Sequence, residues 1–126
     1  MTKEKFISRM KDDEFKAAFK EMIVMKDALY LEVTKNTPDT KKITLSEYLM
    51  VMRALTNNLV KDFETANRSY LDIVSKTKVS EGLKQVVAEG LSNIENIKNQ
   101  AEFMNSELYE DMIEIAQIYE HKRIPM

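Results

Sequence analysis

Residues 15–33 read FKAAFKEMIVMKDALYLEV, and thirteen of these nineteen are apolar. They form two stripes. Phe15, Phe19, Met22, Leu29 and Val33 follow the three-four spacing that lines one face of an α-helix. Ala17, Val24, Ala28 and Leu31 follow the same spacing on the opposite face. A helix on the outside of a small bundle needs one apolar stripe, so the second predicts a covering element. Either Phe6, Ile7 and Met10 of a short preceding segment fold back over it, or a partner helix from another molecule does.

The rest of the chain reads as helices arranged around this one. A short segment over 3–11 carries Phe6, Ile7 and Met10 on a side turned roughly 115° from the stripe that starts at Phe15. A straight helix cannot serve both, so a break belongs at Asp12-Asp13, where aspartate favours a new N-terminus. The second segment then spans about 13–35 and stops at NTPDT, where Pro38 pushes Thr37 out of helical geometry. Thr44-Leu45-Ser46-Glu47 is a T-x-x-E capping box and opens a third segment over 45–76. Its seam holds two heptad series, Leu45, Met52, Leu59, Ala66, Ile73 and Leu49, Thr56, Phe63, Tyr70, a coiled-coil-like pattern. Ser80 caps a fourth segment over 80–121. A stripe of Val87, Leu91, Ile94, Ala101, Met104, Leu108, Met112, Ile115 and Tyr119 carries it to its last turn near Lys122, with Pro125 beyond. Gly90 lies on that stripe and would permit close helix approach. Short connections make neighbouring long helices antiparallel. The expected fold is therefore all-α: an antiparallel bundle of three long helices plus a short N-terminal one, in a single domain over 1–126.

Composition narrows the function classes. With 126 residues a core can form without disulfide or metal, and two glycines and two prolines suit long helices with few turns. The absence of cysteine excludes disulfides, thiolate metal sites and cysteine nucleophiles. MTKEKFISRMKDDEF contains no apolar signal-like core, and no apolar run is long enough to span a membrane, so a cytoplasmic location is expected. The net charge of -2 is too small to point to nucleic acid or an anionic membrane. Its distribution is uneven, with six acids and no base between Glu102 and Glu120.

Four groups of polar residues carry candidate chemistry. Lys26, Thr56 and Asn105 fall on the seams at similar height, forming either a register-setting polar layer or an anion site anchored by Lys26. Glu107, Glu110, Asp111 and Glu114 have spacings that gather carboxylates on a helix. An all-α metal-dependent nucleotide phosphohydrolase would need a second such pair on a facing helix, and none follows, so a solvated acidic face is the expectation. The single histidine, His121, supplies no E-x-x-H pair, and no phosphate-binding or nucleophile-elbow motif is present. Lys5, Arg9, Lys16 and Lys20 share one side of the first two segments without aromatic interleaving. They are better matched to the acidic fourth segment than to a phosphate backbone.

No catalytic, metal or cofactor residue emerges. The expected function is non-enzymatic: a helical protein–protein interaction module such as an adaptor, chaperone-like factor, inhibitor or small structural subunit. Its partner is another protein or a second copy, with a homodimer the leading case. Ala17, Val24, Ala28, Leu31 and Phe103 are the candidate partner-binding residues, Phe103 because it stands opposite the fourth segment's stripe. A nucleic-acid-associated subunit of a larger assembly is the alternative, and the phosphohydrolase a more distant one.

Overall fold

The computed structural model describes residues 1–121; the expectations at Lys122 and Pro125 lie outside them. The described residues form five helices: α1 Lys3–Lys11, α2 Asp13–Asn36, α3 Leu45–Lys76, α4 Glu81–Met104 and α5 Glu107–Glu120. No strand occurs among the described residues. The fold is all-α, with three long helices and a short N-terminal one.

The helix boundaries follow from side-chain caps. Asp12 ends one helix and starts the next: its N–H donates to Arg9 O at 3.1 Å, and its carboxylate accepts from Glu14 N at 3.0 Å and Phe15 N at 3.4 Å. Thr44 Oγ1 accepts from Glu47 N at 3.3 Å, and Ser80 Oγ from Leu83 N at 3.3 Å. Each such cap contributes about 1 kcal/mol.

The single helix expected over 80–121 is two helices. The Asn105 side chain donates to Ala101 O at 2.6 Å, and Ser106 Oγ accepts from Tyr109 N at 3.3 Å. Asparagine thus closes α4 and serine opens α5, a local alternative to continued helix that the uninterrupted apolar stripe conceals.

By packing, the described chain divides into two compact units: residues 1–52 with those from 106 onward, and residues 53–105. The first unit is built around α5. Phe15, Leu49, Tyr109, Met112 and Ile115 are all fully buried there, and the Tyr109 hydroxyl donates to Leu49 O at 2.6 Å. Phe15 and Phe19 stack with ring centroids 5.7 Å apart.

The second unit is an antiparallel hairpin of α3 residues 53–76 and α4. Asn105 Nδ2 donates to Asn57 Oδ1 at 2.8 Å, and Lys98 Nζ lies 3.8 Å from Glu64 Oε1. Its seam uses one heptad series: Thr56 is buried, and Phe63 and Tyr70 are half-buried. Leu59, Ala66 and Ile73 of the other series are exposed, because a two-helix seam covers a narrower arc than a bundle interior. Gly90 makes no close approach: a Cβ added there would meet nothing within 4 Å.

Two stability predictions follow from this burial pattern. Leu49→Ala should cost about 2–5 kcal/mol in urea denaturation, while Leu59→Ala, already exposed, should cost less than about 1 kcal/mol. Gly90→Ala should raise stability by roughly 0.5–1 kcal/mol, since it removes unfolded-chain freedom and meets open space.

Candidate functional site

The acidic run is not wholly a solvated face. Asp111 is 2% exposed, and Arg9 Nε donates to its Oδ2 at 2.8 Å. Lys5 Nζ lies 3.1 Å from Asp111 Oδ1 and donates to Glu107 Oε1 at 2.9 Å. The expected solvated face is therefore corrected at its centre. Asp111 lies close enough to α5's apolar stripe that packing draws it inside, and two cations from α1 compensate it. Hydrogen bonds to Glu107 and then to Asp111 hold the Lys5 ammonium above its ordinary pKa, with burial opposing them more weakly. The basic side of α1 is thus spent on carboxylates of the same chain rather than left for phosphate. This cluster is a structural clamp.

The candidate partner-binding stripe is solvent-facing. Val24 and Leu31 are 60% and 62% exposed, and Ala17 and Ala28 are exposed with them. The fold-back of α1 over this stripe does not occur. Phe6 is buried, with its ring centroid 6.2 Å from that of Tyr119, and Arg9 lies 5.8 Å from the Phe15 ring centroid. Ion pairing to Asp111 and burial of Phe6 direct α1 onto α5. Phe103, in the second unit, is half-buried.

The second unit has an exposed apolar surface of its own. Asn57, Glu64, Lys98 and Asn105 pair along one flank of the hairpin. Leu55, Leu59 and Ile73 stand about 60–100° from the seam on the other side of α3, with Val86 on the same flank of α4, and all four are exposed.

Of the polar layer, Lys26 belongs to the first unit, and Thr56 and Asn105 to the second. Asn105 is engaged by Asn57 and Ala101. Lys26 is 20% exposed at its side chain, with its Nζ 3.0 Å from Asp27 Oδ1, and it borders a cleft of about 510 Å³ inside the first unit. Two polar groups escaped the sequence reading. Asn67 sits on the α3 seam with its Oδ1 buried and unpartnered. Glu120 accepts from Ser46 N at 2.8 Å and from Ser46 Oγ, bracing the start of α3. Asn67 was legible as a polar residue at seam spacing. Glu120 was not, because its partner lies 74 positions away.

The clamp can be tested by removing its parts separately and together. Arg9→Met leaves Asp111 buried with Lys5 alone and should cost about 3 kcal/mol in urea denaturation. The triple change Lys5→Met, Arg9→Met and Asp111→Leu should recover most or all of that loss. Lys5→Gln should lower the melting temperature at neutral pH. The raised lysine pKa makes its contribution fully present below the ordinary lysine value and lost as pH rises through the raised one. The gap to the unaltered chain should therefore narrow in alkaline melts.

Comparison with protein-family models, curated proteins and solved structures finds no match, so the functional reading rests on the chain's own residues.

Proposed function

We propose that this chain is a non-enzymatic helical interaction module that self-associates through the outer face of α2. The observation carrying this reading is the exposed stripe of Ala17, Val24, Ala28 and Leu31 on a helix whose opposite face already supplies the first unit's core. Exposed contiguous apolar surface on a small protein marks an interaction site more often than a scattered apolar residue does. The stripe alternates small and large side chains, a pattern that suits ridges-into-grooves packing against a second helix. A copy of α2 offers the matching surface, since a two-fold interface is self-complementary.

Light scattering across a concentration series tests this. The unaltered chain should show twice its monomer mass. Val24→Glu combined with Leu31→Glu should give a monomer whose circular dichroism stays helical, because neither residue is part of the folded core. Leu59→Glu with Val86→Glu, on the hairpin flank, should leave the dimer intact. A monomeric unaltered chain, or a dimer that survives the α2 substitutions, would overturn the reading. Unfolding of the α2 variant would also overturn it, by showing that face to be interior.

A further inference from the structure

The cleft beside Lys26 has the features of a small-molecule site. It lies wholly within the first unit, bounded by Phe19 and Ile23 of α2, Leu45 at the start of α3, and Ala116 and Tyr119 of α5. Its volume of about 510 Å³ falls in the range of ligand pockets, which are mostly apolar with a few polar groups that fix orientation. Those groups are Lys26, Lys42, Glu120 and the Thr44 hydroxyl, which accepts from Glu47 N. The Glu120 carboxylate is already committed to the amide and hydroxyl of Ser46. Lys26 keeps donors to spare beyond Asp27, since an ammonium has three, and Lys42 lines the same cleft from an exposed position. Glu120 keeps its charge and Asp27 pairs with Lys26, so the rim is close to neutral overall; what it offers an occupant is the unused ammonium donors of Lys26 and Lys42, beside walls of hydrocarbon.

We propose that this cleft binds an amphipathic monoanion, a medium-chain fatty carboxylate in its simplest form. The alkyl chain lies along Phe19, Ile23 and Ala116, and the head group meets the Lys26 and Lys42 ammoniums. A neutral alcohol would fill the walls without using the lysines. A cationic amphiphile would offer the ammonium donors no acceptor. Head-group preference is thus the signature of the site.

Calorimetry and amide NMR with decanoate, decanol and decyltrimethylammonium, below their micelle concentrations, provide the test. Decanoate should bind saturably at one per chain and shift the amides of Ile23, Leu45 and Ala116. The cationic amphiphile should bind at least tenfold more weakly than decanoate. Lys26→Met keeps the aliphatic stem and should weaken decanoate about tenfold, the loss of one charge-assisted contact, while leaving decanol unchanged. Lys42→Met, at an exposed position, should weaken it in the same direction without touching the core. Three results would overturn the proposal: no saturation, equal binding of all three head groups, or decanoate binding unchanged in both lysine variants. Shifts confined to Val24 and Leu31 would do so as well, by showing detergent-like adsorption on the outer face of α2.

Discussion

Burial of the Asp111 carboxylate on α5 sets where α1 can lie, and much else follows from it. Withdrawing a carboxylate from water costs several kcal/mol unless cations and hydrogen bonds compensate it. Arg9 and Lys5 supply both, and they sit four residues apart, so they project from one side of α1. With both ammonium and guanidinium groups held at Asp111, α1 must lie along α5, where Phe6 finds Tyr119. The short helix is then unavailable to cover α2. The exposed outer stripe of α2 is a consequence of where the chain spends its cations.

The turn at Asn105-Ser106 makes this arrangement possible. It gives α5 its own N-terminus, with Glu107 and Glu110 in the first turn, where negative charge is favoured by the helix dipole. Glu107 then serves twice, at that terminus and as a partner of Lys5. Downstream, the apolar residues of α5 fill a core that α2 and the first turns of α3 close from other directions. Tyr109 is instructive here: its ring is fully buried and its hydroxyl satisfied by Leu49 O, so a polar handle costs the core nothing.

Local signals were readable from the chain and long-range ones were not. The caps at Asp12, Thr44 and Ser80 are decided within four residues, and all three stand where side-chain chemistry places them. The Ser106 cap is equally local, but the apolar spacing from Ala101 through Leu108 continues across it and argues for unbroken helix. Asp111 shows the other limit. Its neighbours in sequence are those of a surface acid, and only Arg9, 102 positions away, reveals it as interior. The heptads of α3 were visible as two series. Which series is buried depends on how many helices share the seam, and periodicity alone does not contain that number. For the candidate interface, the position of Ala17, Val24, Ala28 and Leu31 opposite Phe15 was legible, because the geometry of one helix suffices to place them.

The two unpaired apolar surfaces of the first unit differ in shape, and shape separates their uses. The outer face of α2 is convex, a cylinder studded with small and large side chains, and a small molecule resting there would keep most of its own surface in water. Only an object with its own groove, such as another helix, can remove Val24 and Leu31 from solvent together. The cleft on the opposite side of α2 is an open depression bordered by residues of three helices, so an occupant would touch hydrocarbon on one side only. Lys26 sharpens the distinction: its half-buried ammonium, paired with Asp27, stands beside the apolar wall of the cleft and has no counterpart on the outer stripe. One helix thus presents two apolar surfaces of different shape, and the clamp at Asp111 keeps α1 away from the outer of the two.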